Sequence, residues 1–356
     1  MSVAVITGSG GLIGSAAVRF VHDKGLDAVG LDNNARRHFF GSAADTTWNV
    51  ESLRANCSRY THHHLDIRDE NGVNGVFSRY GKAVSLVIHT AAQPSHDWAR
   101  RDPLTDFSIN ATGTLMLLEA VRKHCPDAAF VFTSTNKVYG DTVNTLAYRE
   151  LETRFEPVET EPYAEHGVDE GMSLDRCTHS IFGVSKASAD LLVQEYGRYF
   201  GMRTGVFRGG CLTGSDHSAA ELHGFLGYLM RCAIKNEPYT VYGYKGKQVR
   251  DNIHARDIVN AFWHFFESPR PGEVYNMGGA RHANISMREA VAACEKLTGR
   301  PMRVTYTDEE RIGDHKWWIS DVRKFQSHYP GWRHTCTMDA ILEEIYEGML
   351  QRKEKL

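Results

Sequence analysis

The chain of 356 residues contains no apolar stretch approaching the roughly 20 residues that a bilayer-spanning helix requires. Its first residues, MSVAVITG, run straight into a strand pattern with no basic segment ahead of them, so a cytoplasmic protein without membrane contact is expected. Paired cysteines are also missing. The seven present (Cys57, Cys125, Cys177, Cys211, Cys232, Cys294 and Cys336) are odd in number, scattered and never spaced C-x-x-C, which argues against a disulfide framework and a zinc cage alike. A basic surplus is absent too: 41 Lys and Arg stand against 44 Asp and Glu, a formal charge of -3, and the cations are dispersed apart from pairs such as Arg36-Arg37 and Arg100-Arg101. A phosphate backbone would find no basic face, so nucleic acid is not an expected partner. The run His62-His63-His64 has no second ligand cluster beside it, so it reads as a solvated loop and no metal site is expected.

What is present is an ordinary globular composition, 42% apolar and 24% charged, without internal repeats or low-complexity linkers. Short apolar runs alternate with helical stretches through the first half: VAVITG, a helix from Leu12, DAVGLD, HHHLDI, a helix near Val73, SLVIHTAA, a helix after Asn110, then AAFVFTS. That alternation specifies right-handed crossovers and a parallel sheet covered by helices on both faces. TGVFRG follows a helix beginning around Gly183, and beyond it the pattern turns irregular: a helix from Glu221 to Lys235, a strand YTVYGY, a helix from Ala255, a strand VYNMGG, and helices from Met287 and Met338. The expected fold is α/β, a Rossmann-type doubly wound parallel sheet with a smaller, interleaved C-terminal α/β lobe. The cofactor domain is assigned to residues 1–212 and 246–280, and the substrate lobe to 213–245 and 281–356.

After the first strand the chain reads Thr7-Gly8-Ser9-Gly10-Gly11-Leu12-Ile13-Gly14 and passes at once into a helix. Glycines at 8, 11 and 14 permit a tight turn, close approach of a pyrophosphate to the backbone N–H groups around Leu12 and Ile13, and close helix-to-sheet packing. The next strand ends in Asp32, at the distance expected of a carboxylate that accepts from both ribose hydroxyls. Its charge favours NAD over NADP, while Arg36 and Arg37 keep the 2′-phosphate reading open. Asn33 joins Asp32 in this set. Asp66 and Ile67, at the end of the third strand, are expected to flank the adenine, and Ala91, Ala92 and Gln93, after the fourth, to line the middle of the cofactor, because ligands collect at the strands' carboxyl ends.

These residues, with Asn110 in INATGT, STNKVYGD at 134–141, GVSK at 183–186, KQVRDNIHARD at 247–257 and YNMGG at 275–279, resemble the nucleotide-sugar epimerases and dehydratases of the extended short-chain dehydrogenase/reductase family. The resemblance implies a tightly held NAD, a nucleoside-diphosphate sugar as partner, and a homodimer built on the helices after Asn110 and Gly183. It implies oxidation of a sugar carbon to a ketone and hydride return to the opposite face, on a CDP- or other NDP-hexose at C2 or a neighbouring carbon. A dehydratase or lyase, and a non-catalytic binding protein, are the alternatives.

The family's catalytic groups are a Ser or Thr at a strand end and a Tyr four residues before a Lys, a spacing that puts both side chains on one helix face. Thr135 and Lys186 stand at those positions, with Thr133 and Asn110 implied near the cofactor, but Phe182 occupies the tyrosine's place. A phenyl ring carries no exchangeable proton. Lys137, in the Asn136-Lys137 pair where the dehydratases carry Asp-Glu, and His179 are the candidate replacements. For the substrate, the resemblance assigns Arg250 and Arg311 to the diphosphate, Asp314 to a ribose, and Asn136 and Cys211 to the neighbourhood of the sugar. His96, Asp97 and Trp98 offer an imidazole, a carboxylate and an aromatic suited to sugar hydroxyls.

Overall fold

The computed structural model describes residues 2–216, 224–309 and 313–353. The expected helix start at Glu221 and the candidate Arg311 lie outside them. Seven strands, β1 (Val3–Thr7), β2 (Asp27–Leu31), β3 (Tyr60–His63), β4 (Val84–His89), β5 (Ala129–Thr135), β6 (Arg203–Gly209) and β7 (Glu273–Met277), form one sheet in the order β7-β6-β5-β4-β1-β2-β3. β1 runs parallel to β2 and β4, β2 to β3, and β4 to β5. The strand order reverses direction between β1 and β4, and at such a switch point a doubly wound sheet opens a crevice for ligands.

His62 and His63 belong to β3, facing Gly30 and Leu31 of β2, which corrects the loop expected there. The open edge of β2 supplies backbone partners that a polar sequence can use as readily as an apolar one, and the Tyr60 hydroxyl adds a bond to His62 Nδ1 at 3.0 Å.

The chain divides into two compact units. The first comprises Met1–Val138, Ile181–Arg208 and Ile258–Tyr275; the second comprises Tyr139–Ser180, Gly209–Asp257 and Asn276–Leu356. Segment 139–180, expected with the cofactor domain, therefore packs with the second unit. Its backbone is bonded there: Phe155 N–H donates to Lys247 O, Val168 N–H to Ile319 O, and His315 Nε2 meets Gly140 O.

In the first unit the sheet is covered by helices whose apolar residues recur at helical spacing. Leu12–Asp23 buries Ile13, Ala17, Val18 and Val21, and Gly113–His124 buries Leu117, Leu118 and Val121. The helix Ile181–Phe200 differs, because its buried face carries Ser185, Lys186, Asp190 and Gln194 among the apolar side chains. Polar groups are placed inside at a cost unless they are bonded or used, so this face marks where function is to be sought.

The second unit is built on shorter pieces. Val249–His254 pairs with Cys211–Thr213, Asn284–Ser286 and Trp317–Trp318, while Tyr239–Tyr242 runs parallel to Val304–Thr307. Its core gathers Leu229, Met230, Ile285, Ala290 and Ile341. Among the described residues no helix is long and apolar enough to cross a membrane.

Candidate active site

The glycine turn leaves β1 at Gly8, whose φ of 69° lies in the left-handed region. A Cβ at Gly8 would meet Ala91 N and Thr90 Oγ1 at 2.9 Å, and one at Gly14 would fall 2.0 Å from Gly8 O. The turn, the first helix and the end of β4 thus approach each other as closely as backbone allows. Gly11 caps the helix Leu12–Asp23 without a side-chain hydrogen bond, so the first-turn amides are open to an anion.

Asp32 stands at the mouth of this turn. Its Oδ2 accepts from Gly10 N–H at 2.9 Å and its Oδ1 from Asn34 N–H at 2.7 Å, which holds the carboxylate in one orientation with lone pairs remaining. Burial lowers the Arg36 guanidinium to about 10 against the opposing charge of Asp32. Asp66 is paired with Arg68 at 2.7 Å and accepts from Asn33 Nδ2 at 3.1 Å, and its carboxyl is held below the usual range mainly by the Arg68 hydrogen bond. Ile67 is buried against Gly113, where an added Cβ would sit 2.7 Å from Ile67 Cδ1.

After β4, Ala91 and Ala92 stay partly exposed, whereas Gln93 and Asn110 are buried and spent on each other. Gln93 N–H donates to Asn110 Oδ1 at 2.9 Å, and Asn110 Nδ2 donates to Gln93 O at 3.0 Å. Both amides also donate to Asp106 Oδ1, at 2.7 and 3.1 Å. Asn110 Nδ2 further lies 3.0 Å from Ser185 Oγ, which donates to Phe182 O at 3.1 Å. This network ties the loop after β4 to the helix Ile181–Phe200. Asp106 and Ser185 were not anticipated, although Asp106 stands four residues before Asn110 and Ser185 adjoins Lys186.

Lys186 is 4% exposed. Its Nζ donates to Thr133 O at 2.8 Å and lies 4.1 Å from the centroid of the Phe132 ring. Burial pushes the amine down to about 7, against the pull of Asp190 and Asp106. Thr133 Oγ1 is buried with no hydrogen-bond partner among the described residues. Thr135, two residues on and therefore on the same side of β5, is half-buried, and its Oγ1 accepts from Lys137 N–H at 3.2 Å. Asn136 is buried and Lys137 half-buried at the start of a short turn. A second unanticipated cluster lies behind: Asp190 accepts from Ser134 Oγ at 2.6 Å and from Arg208 in a two-pronged pair at 2.9 and 3.0 Å.

Phe182 lies one helical turn before Lys186, buried, and its ring packs edge-to-face on His96 with centroids 5.0 Å apart. Trp98, expected beside His96 at the sugar, is instead turned onto Phe39, ring centroids 5.0 Å apart, with its indole N–H donated to Phe39 O. His179 belongs to the second unit, where both ring nitrogens lie 3.7 Å from Cys177 Sγ. In that unit Arg250 and Asp314 form an ion pair with each other, Arg250 also donating to Val249 O at 2.8 Å. Cys211 is half-buried opposite Asn252.

A glycine cradle that a Cβ would fill, uncapped helix amides, an oriented carboxylate and the unsatisfied Thr133 hydroxyl beside a buried amine together fit a dinucleotide. Comparison with known proteins agrees. The chain is 33% identical over 327 residues to CDP-paratose 2-epimerase of Salmonella typhi, covering 90% of this chain and 91% of that protein. Its fold resembles UDP-glucose 4-epimerase from Bifidobacterium longum in complex with NAD+ and UDP, with a TM-score of 0.80, 21% identity and full coverage of both chains at 100%. It also resembles a tyrosine-to-phenylalanine mutant of UDP-glucuronic acid 4-epimerase from Bacillus cereus, in complex with a UDP sugar and NAD, with a TM-score of 0.79, 22% identity, and 98% of this chain and 99% of that one covered. Residues 4–278 match the NAD dependent epimerase/dehydratase family, and the chain belongs to it.

Proposed function

We propose that this protein is an NAD-dependent nucleotide-sugar epimerase acting on a CDP- or other NDP-hexose at C2 or a neighbouring carbon. When bound, NAD supplies a reversible acceptor for the hydrogen and electron pair of a sugar carbinol. The observation that carries the reading is the buried Lys186 amine beside the unsatisfied Thr133 hydroxyl, at the carboxyl end of a strand next to the switch point. The amides around Gly8, Gly11, Leu12, Ile13 and Gly14 hold the pyrophosphate; Asp32 and Asn33 hold the adenosine ribose, near Arg36. Asp66 and Ile67 bound the adenine side, and Ala91, Ala92, Thr133 and Lys186 the nicotinamide side. Gln93 and Asn110 act as positioning residues, since their amides are engaged internally. Thr135 and Asn136 meet the sugar, and the family resemblance assigns Arg250, Arg311 and Asp314 to the nucleotide.

Family relationship supports the sugar chemistry, and the mutant relative supports one further point: a phenylalanine can replace a tyrosine in this fold while NAD and a sugar nucleotide stay bound. We also place the protein in the cytoplasm, because its seven cysteines are odd in number, scattered and never spaced C-x-x-C, which fits a reducing compartment. We further assign it a homodimer, because Phe107, Leu115 and Leu191 leave an apolar patch exposed on the helices expected to pair.

The test is incubation of the NAD-loaded protein with CDP-paratose, UDP-glucose and dTDP-glucose, followed by NMR of the products. The reading expects an isomer of equal mass inverted at one carbon. A product lighter by one water would install the dehydratase in its place, and unchanged sugars bound with NAD would install a binding protein.

A further inference from the structure

Oxidation of a carbinol releases the hydroxyl proton, and the reverse step needs it back, so a proton carrier must touch the sugar hydroxyl. Phe182 has no exchangeable proton, yet it sits one turn before Lys186 on the buried face of its helix. We infer that His96 is the proton carrier of this enzyme, its imidazole standing beside the Phe182 ring where a protonatable group is required. The inference rests on the epimerase reading above.

Three observations support it. The His96 and Phe182 rings are in direct edge-to-face contact, 5.0 Å between centroids. His96 is half-buried, so its imidazole is neither sealed in the core nor swept by solvent. The backbone that carries it is clamped: Ser95 N–H donates to Gln93 Oε1 at 2.6 Å, and the Gln93, Asn110, Asp106 and Ser185 network continues to Phe182 O. The head of the helix His96–Arg101 is therefore fixed on the same helix that carries Phe182 and Lys186, which is the pre-organisation that proton transfer over hydrogen-bond distance demands. Lys186 donates to Thr133 O, and both ring nitrogens of His179 lie against Cys177 Sγ.

The step balances. A neutral imidazole nitrogen takes the hydroxyl proton as the C–O bond becomes a carbonyl, for which NAD, when bound, would supply the acceptor of the carbon's hydrogen and electron pair. On reduction at the opposite face the imidazolium returns that proton to the oxygen, and the imidazole ends neutral.

The test compares wild type, His96→Gln, His96→Asn, Phe182→Tyr and the double variant His96→Gln/Phe182→Tyr on CDP-paratose, with UDP-glucose as second substrate. NAD content after release by denaturation, and calorimetric binding of CDP, are measured on each. His96→Gln and His96→Asn are expected to lose kcat at least about 100-fold with KM and CDP binding within about threefold and NAD content unchanged. Adding Phe182→Tyr to His96→Gln is expected to restore kcat at least tenfold, because a phenol then occupies the required place. An active wild type whose His96 variants keep kcat within about threefold would overturn the assignment alone. So would a loss shared equally by CDP binding. A wild type that binds CDP and leaves both sugars unchanged would overturn the epimerase reading itself, and the assignment with it.

Discussion

Lys186 concentrates the chemistry of the site in one side chain. A buried amine whose folded pKa lies near 7, against 10.5 in the open chain, binds fewer protons when folded than when unfolded between those two values. Stability from this group therefore falls as pH drops from about 10.5 to about 7 and is constant below. Lys186→Met removes that penalty. In the NAD-free protein it is expected to raise the thermal midpoint at pH 7 by several degrees and to raise it progressively less toward pH 10, while NAD retention is lost. Differential scanning calorimetry across that range decides it, and a gain independent of pH would refute the role of burial. At this scale the sequence was informative where a residue's type sufficed. Asp32 and the glycines follow from spacing, and Phe182 declared itself as an absence. Trp98 and Gln93 are expected at ligands because they follow the right strand, and Asn110 because of the family resemblance, but neither reveals where a side chain turns. Whether His96 or Trp98 meets Phe182 depends on the first turn of a six-residue helix, which no periodicity reports.

The element that decides cofactor binding is the junction of β1 with the helix Leu12–Asp23. Its two limbs meet so closely that Gly14 has no room for a methyl group, whereas Gly75, on the helix Glu70–Tyr80, has nothing within 4 Å of a built Cβ. Gly14→Ala is expected to cost about 1–3 kcal/mol through forced displacement of the turn, with NAD affinity falling at least tenfold. Gly75→Ala is expected to stabilise by about 0.5–1 kcal/mol, since it gains helix propensity and clashes with nothing. Paired urea titrations check the contrast, and equal effects at the two sites would contradict it. The first-half elements were legible because strands of five or six mostly apolar residues and amphipathic helices carry clear patterns. The strands Cys211–Thr213, Asn284–Ser286 and Trp317–Trp318 were not, because two or three residues are too few to show a period. The third strand is read over HHHLDI, with its histidines as loop, whereas β3 spans Tyr60–His63, because YTHH carries no apolar alternation.

For the whole molecule, the strand-helix alternation implies a doubly wound parallel sheet, but neither its order β7-β6-β5-β4-β1-β2-β3 nor the allocation of segment 139–180 to the second unit. That segment is held by scattered bonds to the backbone of residues 247 and 319 and to the His315 side chain, which are far away in sequence and leave no local pattern. The apolar patch at Phe107, Leu115 and Leu191 belongs to this scale too, since a contiguous apolar surface marks an interface. Leu191→Glu is expected to convert a dimer into monomers in sedimentation velocity at micromolar concentration, and a monomeric wild type would contradict the dimer. The account as a whole stands on the claim that the sugar carbon keeps its own hydrogen through inversion. The direct test is conversion of CDP-paratose in deuterated water, with product mass read after back-exchange into ordinary water. The account predicts an epimer of unchanged mass with no deuterium at the inverted carbon; deuterium at that carbon would contradict it.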